Sequence, residues 1–185
     1  MIPRMESVSR KEFLSIVTDR PEKVVCIDCE TTGLDVDMDG VLSLSIVDGN
    51  LDVLFHSLLH TYRKRSWKEA QRINGISPRM VRDSPSIPQV REQVLDILSD
   101  AEIVTGYNIA PFDIPMMANN GFWFPRTLRI FDVYPEFVMV TRGGGKHRLI
   151  DCARMYDVGF EPHDSLEDSK AAMLCAVRIV KEVEE

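Results

Sequence analysis

Ile27-Asp28-Cys29-Glu30-Thr31-Thr32-Gly33 closes an apolar run, Val24-Val25-Cys26-Ile27, with two carboxylates two residues apart. The run reads as a β-strand. Side chains alternate faces along a strand, so Asp28 and Glu30 point the same way. Two carboxylates on one face repel each other and resist joint ionisation. A cation between them removes that penalty, and hard divalent ions such as Mg²⁺ prefer oxygen ligands. A lone Asp-x-Glu at a strand end is equally consistent with two solvated acids, so the remaining ligands decide the reading.

Outward from this stretch, the pattern alternates between the two regular periods. Ser9 to Asp19 predicts a short helix, with Ser9 and Glu12 as a capping box, Phe13, Ile16 and Val17 as its apolar face, and Pro21 as its stop. Val41 to Val47 and Leu51 to Leu59 flank Asp48-Gly49-Asn50, a hairpin signal. A short helix is expected around Trp67 to Arg72, a turn at Asn74-Gly75-Ile76-Ser77-Pro78, and a helix over Val90 to Leu98. Ala101 to Tyr107 reads as a strand, Phe112 to Asn119 as a helix ending at Asn120-Gly121, and Arg129 to Val133 as a strand. Helices are expected from Glu136, over Leu149 to Tyr156, and over Leu166 to Val183. A hairpin followed by alternating strands and helices argues for one α/β domain, a mixed sheet covered by helices. Residues 1–22 are expected to form an N-terminal helical extension to a single domain spanning 1–185.

The chain has 185 residues, with 44% hydrophobic and 28% charged, the profile of a soluble globular protein. Its net charge of −7 argues against nonspecific DNA binding through bulk charge. It leaves room for a nucleic-acid enzyme whose acids are neutralised by metal. Without a signal-like amino terminus or a long apolar run, the chain is expected to be cytoplasmic and not to engage a membrane. Cys26 and Cys29 have C-x-x-C spacing, but three positions apart on a strand they face opposite sides. With Cys152 and Cys175 they read as buried, reduced thiols.

Three further acids or bases stand out. Asp113 follows the predicted strand and polar turn Gly106-Tyr107-Asn108-Ile109-Ala110-Pro111-Phe112, in the first turn of the next helix. By itself it is equally a helix-dipole acid. His163 and Asp168 bracket the start of the last helix, where Asp164 with Glu167, or Ser165 with Asp168, also satisfies a capping box. Taken together, Asp28, Glu30, Asp113 and Asp168 supply roughly the charge that balances two divalent ions. A nearby histidine is suited to take a proton from water near neutral pH. Two metals ~3.5–4 Å apart can activate a water and stabilise a leaving oxygen in phosphodiester hydrolysis.

The same residues resemble the DnaQ-like 3′–5′ exonucleases of the DEDD superfamily, in the histidine-containing branch that includes the exonuclease domain of the DNA polymerase III epsilon subunit. The first motif of that family is matched by Asp28-Cys29-Glu30-Thr31-Thr32-Gly33-Leu34, the second by Gly106 to Asp113, and the third by His163-Asp164-Ser165-Leu166-Glu167-Asp168. Asn74-Gly75-Ile76-Ser77 resembles the turn ahead of the second motif, and Lys146-His147-Arg148-Leu149 the stretch before the fifth helix of the family. The resemblance implies an RNase H-like fold with a central five-stranded mixed sheet. It implies that Asp28, Glu30, Asp113 and Asp168 hold two Mg²⁺ or Mn²⁺ ions, with His163 as general base. Substrate contacts are implied at Thr31, Thr32, Gly33, Leu34, Asn108 and Phe112, with Leu34 against the terminal base. The products implied are nucleoside 5′-monophosphates from a 3′ end, most readily of single-stranded DNA, in proofreading or repair beside a polymerase on another chain. An exoribonuclease of the same family and a non-catalytic nucleic-acid-binding module are the rival readings. The chain departs from the family in three places: three residues separate Asn108 from Phe112 where two are common, Tyr107 follows Gly106 where histidine is common, and Ser165 stands where alanine is common.

Phosphate contacts are sought in Arg63-Lys64-Arg65 and in the loop Arg142-Gly143-Gly144-Gly145-Lys146-His147-Arg148. His147 is a rival base. Tyr107, Phe112, Phe122 and Trp123 are either stacking platforms or core.

Overall fold

The computed structural model describes residues 4–184. In chain order its elements are α1 (Arg10–Asp19), β1 (Val24–Thr31), β2 (Val41–Asp48), β3 (Val53–Leu58), α2 (Lys68–Asn74), α3 (Ile87–Asp100), β4 (Ile103–Gly106), α4 (Asp113–Asn119), β5 (Arg129–Asp132), α5 (Val133–Val140), α6 (Leu149–Met155) and α7 (Ser165–Glu184). The strands form one five-stranded sheet in the order β3-β2-β1-β4-β5. Strands β1, β2 and β3 pair antiparallel, whereas β4 and β5 run parallel to β1. This is the mixed RNase H-like sheet that the resemblance implied.

The pleat of β1 sorts the core. Val24 and Cys26 face one layer with Phe13, Phe131, Phe137 and the buried side of α7. Val25, Ile27 and Cys29 face the other, against Val90, Val94 and Leu98 of α3 and Met116 and Met117 of the α4 segment. Asp28 and Glu30 continue the face of Val24 and Cys26, so they emerge on the α7 side of the sheet. The two cysteines of the C-x-x-C spacing lie in opposite layers, and all four cysteines are free and buried.

Local signals set most boundaries. Ser9 caps α1, its hydroxyl accepting from the Glu12 amide. The Glu12 carboxylate does not complete the capping box and pairs with Arg129 at the edge of the sheet instead. The hairpin turns on Asp48, which accepts from the Asn50 and Asp52 amides at 2.8 and 2.9 Å. Helix α2 stops at Gly75, whose φ of 71° few other residues tolerate. Helix α3 starts three residues earlier than the apolar period indicated, at a Ser86–Gln89 capping box. Helix α1 is built into the fold: Phe13 stacks on Phe131 at 4.2 Å, and the Val8 amide donates to Ile130.

Ser165, the first residue of α7, is buried and bonds at 2.7 Å to both Ser43 and Ser45 of β2; Ser45 in turn bonds to His56. This hydroxyl cluster pins the start of α7 to the sheet. Removing the hub leaves buried hydroxyls short of a partner, which costs about 1–3 kcal/mol. Ser165→Ala is therefore expected to lower the unfolding free energy by about 1–2 kcal/mol in urea titration.

Candidate active site

Four elements converge at the end of β1. The strand supplies Asp28 and Glu30, α4 supplies Asp113, α7 supplies Asp168, and the loop before α7 supplies His163. Ligand atoms of Glu30, His163 and Asp168 all lie within 4.8 Å of one another. Asp28 and Asp113 join the same electrostatic cluster: after burial, the charges of Asp113, Asp168 and Glu30 are what push the Asp28 carboxyl well above its ordinary range. Burial raises Glu30 to about 7, with the charge of Asp168 adding and the amide of Asn74 pulling partly back. Burial likewise raises Asp113 and Asp168 to about 7. All four predicted carboxylates are thus crowded into a half-dry crevice with no cation among the side chains that perturb them. This donor set, oxygen-rich and short of positive charge, fits hard divalent ions.

Two of these acids are held by backbone amides. Asp113 is only 4% exposed, and its Oδ1 accepts from both the amide and the thiol of Cys29 at 3.1 Å. Asp168 accepts from the His163 amide at 3.0 Å. Asp164 accepts from the Leu166 and Glu167 amides, so it, and not Ser165, caps α7. His163 sits at φ 73° in an exposed turn, and among the described residues no hydrogen bond engages its ring. The rival His147 has its ring committed to Thr141 at 2.9 Å and to an edge contact with Phe137.

The extra residue of the second motif is absorbed by Asp132. Its carboxylate accepts from the Asn108 and Ala110 amides at 2.8 and 2.9 Å, and from Tyr134 at the start of α5. Asn108 takes φ 64°, which asparagine tolerates. Sequence reasoning missed Asp132; its place one residue ahead of a helix was the available signal.

Two cavities adjoin the carboxylates, Glu30 lining one and Asp28 and Asp168 the other. One, of about 480 Å³, is lined by Glu30, Thr31, Thr32, Gly33, Leu34, Lys64, Ile73 and Asn74 among others. Leu34, 84% exposed, and Ile73 give it apolar lips. The Thr32 hydroxyl is spent internally, donating to Asp39 at 2.6 Å and accepting from the Gly40 amide. Gly33 is required because a Cβ there would lie 2.5 Å from Asp39 Oδ2. The second cavity, of about 450 Å³, is lined by Asp28, Tyr107, Arg148, Arg154, Phe160, His163 and Asp168 among others.

Asn108 and Phe112 stand apart. Asn108 lines a different cavity beside Asp132 and Tyr134, and Phe112 packs half-buried against the core. Of the basic stretch, Arg63 donates to the carbonyls of Asp37 and Asn119 and Lys64 pairs with Asp39, so both tie down the loop after β1. Phe122 is core, and Trp123 stacks under Arg91 at 4.3 Å. No helix among the described residues is long and apolar enough to cross a membrane.

A family model described as an exonuclease, RNase_T, matches residues 25–175. The chain is 27% identical over 159 residues to an RNA exonuclease 4 of Aspergillus fumigatus, covering 82% of this chain and 49% of that protein. It is 27% identical over 169 residues to a DNA polymerase III epsilon subunit of Rickettsia conorii, covering 84% and 71%. Its fold matches exonuclease X in complex with 5′-overhanging duplex DNA at a TM-score of 0.66 and 19% identity, covering 88% and 93%. The chain thus spans about half the length of the fungal protein.

The raised carboxyls set a pH dependence. Folded, they bind protons between about pH 4, where unfolded carboxylates titrate, and about 7. The folded state holds more protons in that window, so stability falls as pH rises through it. The melting temperature of chelator-treated protein is expected to fall from about pH 5 to about pH 8, and less steeply in Asp28→Asn. Mn²⁺ is expected to raise it more at the higher pH. An equal or larger metal effect at the lower pH contradicts a carboxylate site.

Proposed function

The chain belongs to the exonuclease family, as a DnaQ-like member of the DEDD group, and from that premise we propose that it is a metal-dependent 3′–5′ exonuclease acting on single-stranded DNA ends. The observation that carries the reading is the convergence of Asp28, Glu30, Asp113 and Asp168 with an unengaged His163 at one end of β1.

Bound there, two Mg²⁺ or Mn²⁺ ions would supply charge stabilisation at the phosphoryl and leaving oxygens. The four carboxylates would hold that charge, with Asp28, the one that Asp113, Asp168 and Glu30 all bear upon, among them. His163 lies beside Glu30 and Asp168 with its ring free, placed to take the proton of an attacking water. The nucleoside that leaves, as its 5′-monophosphate, rests in the cavity of Leu34 and Ile73, whose apolar lips suit a base. Asn74 braces that cavity, its side-chain amide donating to the Thr31 carbonyl at 3.2 Å.

The likeness to an RNA exonuclease, at the same 27% identity as the epsilon subunit, supports a second reading as an exoribonuclease. The epsilon likeness supports a polymerase partner on another chain. Matched DNA and RNA oligomers separate the two substrates.

A 3′-labelled oligonucleotide is expected to release nucleoside 5′-monophosphates with Mg²⁺ or Mn²⁺. EDTA or Asp28→Ala is expected to abolish release, and activity surviving both would falsify the metal mechanism. His163→Ala is expected to lower kcat about 10²–10⁴-fold while metal binding, read by calorimetry, is kept. Unchanged turnover in that variant removes His163 from the base role.

A further inference from the structure

The two cavities that adjoin the carboxylates differ in the charges that line them. The one lined by Glu30 also carries Asp35, Asp39 and Glu69, and its single cation, Lys64, is spent on Asp39. It offers nothing to a second phosphate. A 3′-terminal nucleoside needs nothing there, because its only phosphate is the scissile one. The cavity on the other side, lined by Asp28, His163 and Asp168, carries Arg148 and Arg154.

These two arginines are not equivalent. Arg148 is held in a two-point ion pair by Asp151, its Nε and Nη2 donating at 2.8 and 3.0 Å. Arg154 stands three residues beyond Asp151 on the same face of α6, exposed, and among the described residues no hydrogen bond or ion pair engages its guanidinium. The three side chains together leave one positive charge at the cavity. At about 450 Å³ the cavity falls within the range of sites for small ligands, roughly 300–1,000 Å³.

We propose that Arg154 is a substrate-binding residue, holding the phosphodiester next to the scissile one on the upstream side of a polynucleotide. The inference rests on the exonuclease reading and deepens it. The terminal nucleoside lies on the acidic, apolar side of the carboxylates, and the continuing strand leaves across the arginine side. Arg154 thereby makes the site select a polymer end over an isolated phosphodiester. Its planar fork suits two oxygens of one phosphate, which an ammonium engages less well.

The test compares two substrates that differ in this phosphate. Oligodeoxythymidylate has it. Thymidine 5′-(4-nitrophenyl phosphate) has a nucleoside and a scissile phosphodiester but no second phosphate. In Arg154→Ala, the ratio of kcat/KM on the oligomer to that on the ester is expected to fall about tenfold, through KM, with partial recovery in Arg154→Lys. Equal losses on both substrates, or an unchanged ratio, overturn the assignment.

Binding gives a second reading that does not need turnover. With Ca²⁺ in place of Mg²⁺, oligomer affinity is measured by fluorescence anisotropy across a salt series. Arg154→Ala is expected to reduce the slope of log Kd against log salt by about 0.7. A neutral methylphosphonate at the linkage next to the scissile one is expected to erase the difference between parent and variant. A parent that hydrolyses neither substrate yet shows this difference refutes the nuclease activity and upholds the Arg154 site. The same slope in parent and variant overturns it.

Discussion

Four carboxylates held against their mutual repulsion are the constraint on which the remainder of this structure depends. Burial and neighbouring charge together lift Asp28 well above its ordinary range. Left to themselves, such groups would separate or stay protonated. The fold opposes this with contacts that hold the acids and the segments carrying them. Cys29 between the two β1 acids takes hold of Asp113, the His163 amide takes hold of Asp168, and three serines pin the start of α7 to β2. The site is a place where stability is given up locally and recovered from the packed layers on either side of the sheet.

The loop after β1 shows the same economy. Thr32 and Lys64 bind Asp39, and Arg63 binds Asp37 and the end of α4, so the charged stretch after β3 serves as scaffold for the loop. Two cavities lie beside the acids, one carrying further carboxylates with a single paired lysine and the other Arg148 and Arg154.

The elements were legible where the signal is local. The apolar run of β1, the Asp48 turn, the Ser9 cap and the period of α7 are each written within a few residues, and each appears where the sequence places it. The carboxylates were legible because their chemistry makes sense only as a set. Contacts between distant segments were not. Nothing near Ser165 announces Ser43 and Ser45, more than a hundred residues away, and nothing near Arg63 announces Asn119. Arginine and lysine beside a nuclease motif read as phosphate ligands because spacing carries no information on an acid or carbonyl brought close by folding. Asn108 illustrates the converse: it lies within a matched motif, yet its neighbour in space is Asp132.

Asp132 ties together two parts of the molecule that differ in purpose. One carboxylate caps α5 and also closes the turn that delivers Asp113. Removing that one carboxylate frees the Asn108, Ala110 and Tyr134 amides together, so the turn and the helix start lose their hold at the same moment. In the language of native-state fluctuations, one side chain couples the opening of the segment that carries the buried Asp113 to that of a helix on its flank.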